Sequence, residues 1–129
     1  NLPGVPNRIW ELIEEARKRN EQVLEALDMK PLDIVAVQKT LADAQTAVKA
    51  AIDTTEEMLD QAFLTEQVIQ YANRYRSSNP FLAAELIESE NLFRKAEYEL
   101  ALEKAARAIE EVEPGALKKI EKNQEMIVS

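Results

Sequence analysis

The chain has 129 residues, with 16 Lys and Arg against 24 Asp and Glu, a formal charge of −8, and neither His nor Cys. That acidity argues against a phosphate-neutralising nucleic-acid surface and against an anionic membrane face. The missing residue types exclude Ser-His, Cys-His, His-metal and Glu-x-x-His di-iron sites, and with them any disulfide.

Two glycines, 31% charged residues and a predominance of Ala, Glu, Leu and Lys make the composition of long helices and coiled coils. No strand pattern occurs, so the expected fold class is all-α. The length suits one domain with a core of its own. No apolar run approaches the roughly 18 to 20 residues of a membrane span, and no signal peptide is visible. The chain begins at Asn1, not Met, which points to a fragment of a longer protein.

Leu2-Pro3-Gly4-Val5-Pro6 is expected to be a linker, residues 1–6, because two prolines and a glycine prevent regular structure. A helix is predicted from Asn7 to Met29 with a seam of Ile9, Ile13, Ala16, Asn20, Val23 and Leu27, alternating four and three as coiled coils do. Asn20 is either a register-setting polar contact on that seam or a surface residue. Pro31 ends this helix and suits the first turn of the next. From Leu32 to Ser78 there is neither Gly nor Pro, and Ile34, Val37, Leu41, Ala44, Val48 and their successors keep the alternation to Ala72. One helix of about 47 residues, roughly 70 Å long at 1.5 Å per residue, implies an elongated antiparallel bundle. Its weakest place is Thr54-Thr55, where adjacent β-branched residues lower helix propensity.

Asn79-Pro80 reads as N-cap and first helical position. Leu82, Leu86, Ser89 and Phe93 then form a seam that, continued in phase, would bury Glu103 and Arg107. A new seam starts out of phase at Tyr98, Ala101, Ala105, Ala108 and Val112, so a helical hairpin is expected with its turn near Lys95–Glu97. The pair resembles a single tetratricopeptide unit, although arrays of that repeat need about three. Pro114-Gly115 breaks the chain again, and a last helix places Leu117, Ile120 and Ile127 on one side.

Nothing here suits catalysis. The acidic groups Glu56-Glu57-Asp60 and Glu97-Glu99-Glu103 fall on outward helix faces, not across a cleft. Neither a calcium loop nor a phosphate loop is present, so no enzyme activity and no cofactor are expected. The distinctive segment is instead 65–79, which sets two Tyr, two Arg and two Asn among Gln and Ser. Residues three and four apart share a helix face, so Gln70, Asn73, Arg74 and Ser77 form a polar stripe with Tyr71, Tyr75 and Arg76 beside it. Such a stripe offers a planar cation, amides and flat aromatic area, as recognition surfaces do. Alternatively it is a solvated helix face, or lies between helices of its own fold in an architectural spacer.

Gln70-Tyr71-Ala72-Asn73-Arg74-Tyr75-Arg76, followed by Ser77-Ser78-Asn79, resembles the "QNR" patch near the C-terminal end of the EzrA family of septation ring formation regulators. Leu2–Pro6 and Ile109–Ala116 are similar to that family as well, so the resemblance spans nearly the whole chain. It departs from the family after Pro80, at Phe81 and Leu82. The resemblance implies a single C-terminal helical domain, residues 1–129, of spectrin-repeat type. It implies a longer protein held at the cytoplasmic face of the membrane by an N-terminal anchor absent here, and placed at the division septum. The implied partners are FtsZ, whose ring assembly the family restrains, and other division or wall-synthesis proteins. Gln70, Asn73 and Arg74 match the letters of the patch. With only two helices before residue 55 where a spectrin-like bundle wants three, the seam of Ile9, Ile13, Val23, Ile34, Val37 and Leu41 would be partly uncovered. Self-association is therefore expected.

Overall fold

The computed structural model describes residues 4–128, with side chains described as far as residue 123. Residues 1–3 of the expected linker, and the side chain of Ile127, lie outside the described residues. Among the described residues the fold is all-α, without strands. The helices are α1 (Asn7–Asp28), α2 (Ile34–Ala72), α3 (Pro80–Arg94), α4 (Tyr98–Val112) and α5 (Ala116–Val128), with a short 3-10 turn at Asn73–Tyr75. The helices group into two compact units, one up to Glu57 and one from Met58 onward, and α2 contributes to both.

In the first unit, α1 starts directly after Pro6, whose carbonyl accepts the N–H of Ile9 at 3.0 Å. The second helix starts later than Pro31 suggested. Asp33 caps it instead: its Oδ1 accepts the N–H of Ala36 at 3.1 Å, and its carbonyl accepts that of Val37 at 3.0 Å. An Asp side chain satisfies an orphan N–H that Pro31 could only have avoided leaving. The helix runs through Thr54-Thr55 unbroken, and Thr55 Oγ1 donates to the Ala51 carbonyl at 2.7 Å.

Burial follows the expected seam only in part. Ile9, Ala16 and Ala44 of the seam are buried, as is Ala26 beside it, whereas Ile13 (46%), Leu27 (51%), Ile34 (57%) and Leu41 (47%) remain exposed. Val23 and Val37 are half-buried, and Asn20 is a surface residue within this unit. A shallow groove of about 310 Å³ lies along Asn20, Leu41, Ala44, Val48 and Ile52.

The second unit has a closed core. Val68 and Ala72 of α2, Leu82 and Leu86 of α3, Ala105, Ala108 and Ile109 of α4, and Ala116 and Ile120 of α5 are all buried together. The out-of-phase seams match the structure. Leu82, Leu86 and Ser89 are fully buried on α3, and Tyr98, Ala101, Ala105 and Ala108 are buried on α4, while Glu103 and Arg107 face solvent. Small alanines let the two helices approach, and Ser89 Oγ donates to the Ala101 carbonyl at 2.7 Å across that contact. Ile109 lay off the expected seam yet is fully buried, because α4 packs on α5 as well as on α3.

The connections explain the rest. Asn79 Oδ1 accepts the N–H of Leu82 at 3.0 Å and Pro80 opens α3, as expected from the sequence. The turn after α3 sits at Ala96, whose φ is +64°. After Pro114, Gly115 takes φ +90° and Glu110 caps the new helix, its Oε1 accepting the Gly115 N–H at 2.6 Å.

Candidate interaction face at the end of the second helix

The segment that the sequence marks lies where α2 ends. The expected helix to Ser78 stops at Ala72, and residues Asn73–Tyr75 tighten to a 3-10 turn. The cause is Pro80, which forces the preceding residue out of the helical region. Asn79 accordingly has φ −134° and ψ 96°, and the chain winds more tightly before it through bonds from the Arg76 N–H to the Asn73 carbonyl (3.1 Å) and from the Ser78 N–H to the Tyr75 carbonyl (3.2 Å).

The six expected site residues divide into two sets. Gln70, Asn73 and Arg74 are exposed, as is Ser77; Tyr71, Tyr75 and Arg76 are half-buried. Each of the second set is tied to its own fold. Arg76 makes a two-pronged ion pair with Glu90 of α3, Nη2 to Oε1 at 2.8 Å and Nη1 to Oε2 at 3.3 Å. Its guanidinium is thereby held charged more firmly than usual, chiefly by that hydrogen-bonded pairing. Arg76 Nη1 also donates to Asn73 Oδ1 at 3.1 Å.

Tyr71 and Tyr75 both donate their phenolic O–H to one carboxylate, that of Glu113 at the end of α4. Lys119 of α5 completes the cluster, with Nζ 3.1 Å from Glu113 Oε2. The two phenols, Tyr71 foremost, hold the Glu113 carboxyl down at about 2, with Lys119 assisting against the cost of burial. The same bonds push both phenols above their ordinary value. Arg74 lies over the ring of Tyr71, its guanidinium carbon 3.8 Å from the ring centroid. Beside Gln70 a groove of about 310 Å³ opens between α2 and α3, floored by Ile69 and Phe93 and rimmed by Glu66, Glu90 and Arg94.

Sequence reasoning missed Glu113, Lys119 and Glu90, the three residues that fix the aromatic and basic side chains. Glu113 did lie within Ile109–Ala116, a stretch singled out for its family resemblance, and that was the available signal. The arrangement offers hydrogen-bond donors, a cation on an aromatic plate and a groove that sets Ile69 and Phe93 among charged side chains at one place. No group of acidic side chains among the described residues is arranged to hold a metal ion.

Residues 1–124 match the family model described as septation ring formation regulator, EzrA. The chain belongs to the EzrA family. It is 58% identical over 124 residues to the septation ring formation regulator EzrA of Oceanobacillus iheyensis, covering 96% of this chain and 22% of that protein. It is similar also to EzrA of Geobacillus kaustophilus, 45% identical over 94% of this chain and 21% of the relative, and to EzrA of Bacillus subtilis, 36% identical over 93% and 21%. The chain thus spans about a fifth of the length of the EzrA proteins it matches. No solved structure matches it. The polar face and the Glu113 cluster both lie within the segment matched to EzrA, and no helix among the described residues is long and apolar enough to cross a membrane.

Proposed function

We propose that this chain is a non-enzymatic interaction module of a septation regulator, and that Gln70, Asn73 and Arg74 bind a partner protein at the division site, with Tyr71, Tyr75 and Arg76 framing them. The observation that carries the reading is the division of labour on one short segment. Tyr71, Tyr75 and Arg76 are consumed by contacts to Glu113 and Glu90, while Gln70, Asn73 and Arg74 remain exposed. A fold that used the whole segment internally, as a pure spacer would, has no need to present Gln70, Asn73 and Arg74 outward. Arg74 is the residue expected to carry most of the affinity, since its rigid fork of donors can hold a carboxylate or backbone carbonyls as Lys cannot. In the full-length protein the same face would serve septal placement at the cytoplasmic face of the membrane. Restraint of FtsZ-ring assembly and contacts with other division or wall-synthesis proteins belong to the same proposal, as does a spectrin-type relation of the helices.

Two variants test it. Arg74→Ala is expected to leave helicity and melting close to wild type, because the side chain is exposed and Ala is the best helix former. It should cost on the order of 2 kcal/mol of partner affinity if Arg74 is a hot spot, and abolish septal placement of the full-length protein. Arg74→Lys should weaken placement too. A stable Arg74→Ala protein that still reaches the septum would sink the assignment, and an early-melting one would return Arg74 to a structural role.

A further inference from the structure

Arg74 has no ion pair among the described residues, so the ring of Tyr71 beneath its guanidinium is what orients it. A long exposed Arg samples many rotamers, and a face that must meet a partner gains when those rotamers are restricted beforehand. The ring in turn is not free to move. Its hydroxyl ends on Glu113, whose side chain is only 17% exposed and is shared with Tyr75 and Lys119. Glu113 lies 42 residues from Tyr71 in sequence and is not itself a member of the exposed stripe.

We propose that Glu113 is a positioning residue of the recognition face, setting the orientation of Arg74 through the ring of Tyr71. The inference rests on the reading of that face as a partner site. Two physical effects act together. The carboxylate fixes the plane of the ring by holding its hydroxyl, and so fixes the place where a cation can lie over it. A phenol that donates to an anion also gains electron density in its ring, which strengthens the attraction for the guanidinium above. Holding Tyr75 with the other carboxylate oxygen keeps the neighbouring side chain from folding over Arg74. Tyr71 and Tyr75 foremost, with Lys119 assisting, keep the carboxylate ionised, so α5 adds to the hold on the face through Glu113. A glutamine at 113 has one acceptor oxygen in place of two and no charge, so it cannot satisfy both phenols in this way.

The test reads Arg74 directly. The Nε–H proton of Arg74, assigned in the nitrogen-15 spectrum by its disappearance in Arg74→Lys, should be displaced upfield by the ring current of Tyr71. In Glu113→Gln most of that displacement is expected to vanish while the backbone amides elsewhere in the second unit hold their positions. Tyr71→Phe, which keeps the ring and removes only its anchor, should show the same loss. The double variant should be no worse than either single one, as expected for residues acting in series. Tyr71→Phe alone decides the matter should Glu113→Gln fail to fold. An Arg74 signal unchanged in Tyr71→Phe would overturn the positioning role, as would losses that simply add. Septal placement of the full-length variants separates this inference from the reading beneath it. Loss of the shift with placement retained keeps the positioning role and removes the recognition role. Loss of placement with the shift retained does the reverse.

Discussion

At Glu113 one carboxylate accepts from the Tyr71 phenol of α2, the Tyr75 phenol of the 3-10 turn and the Lys119 ammonium of α5. Its pKa in the fold is about 2, against an ordinary 4.5, so the pairing favours the native state throughout the range above 4.5 and is lost as the pH falls from about 4.5 towards 2. Glu113→Gln should therefore melt lower than wild type at neutral pH, and the gap should close across that acid window. Circular-dichroism melts at successive pH values check this; a gap that stays constant down to pH 2 would show that Glu113 does not carry the dependence. The phenols act at the other end, since their raised values mean that the bonds weaken only as the pH climbs beyond 10. Composition and spacing picked out Tyr71, Asn73, Arg74 and Tyr75 as unusual. They could not show which of these, or of the neighbouring Arg76, the fold would consume, because Glu90 lies 14 positions from Arg76, and Glu113 lies 38 from Tyr75 and 42 from Tyr71.

Helix ends, more than helix interiors, decide the shape of the second unit. After α3 the Ala96 N–H bonds the Phe93 carbonyl and the Glu97 N–H bonds the Leu92 carbonyl, each at 3.0 Å. This is a Schellman turn with alanine, not glycine, at its left-handed position, φ +64°. The methyl group costs about 1 kcal/mol there, so Ala96→Gly is expected to stabilise the protein by about that amount, read from denaturant unfolding. Destabilisation would mean that the gain in unfolded-chain entropy outweighs relief of the turn. The break at this turn was legible because two apolar seams fall out of phase, and Asn79-Pro80 was legible because capping chemistry is local. The true ends of α2 were not. At its start Asp33 competes with Pro31 for the role of first residue. At its end the winding tightens several residues before the proline that causes it. Ile109 escaped because a single heptad seam describes a helix with one neighbour, whereas α4 has two.

For the chain as a whole, the contrast between its units bears on association. The second buries its apolar seams; the first leaves Ile13, Leu27, Ile34 and Leu41 about half exposed. At about 25 cal/mol per Å² of apolar surface, covering several such side chains offers several kcal/mol to any partner helix. Sedimentation of the chain over a concentration series should show reversible self-association. Leu27→Glu and Leu41→Glu, which place charges on the exposed stripe, should shift it towards monomer. A wild-type chain that stays monomeric at the highest concentration would count against the idea.

The division between the units falls at Glu57 and Met58, inside α2 and not in a loop. Boundaries between compact parts usually lie in exposed, flexible linkers, where proteases nick and truncations are tolerated. Here the amide-to-carbonyl ladder passes straight through, and Thr55 binds its hydroxyl back to Ala51 within it. A protease that needs extended chain finds no purchase at this point. An expression boundary set there would strip four N–H and four C=O groups of their helical partners at the two new ends. The sites for dissection are the irregular stretches on either side of the helix, 29–33 and 76–79, so any piece that keeps the recognition face intact has to carry the whole of α2 with it.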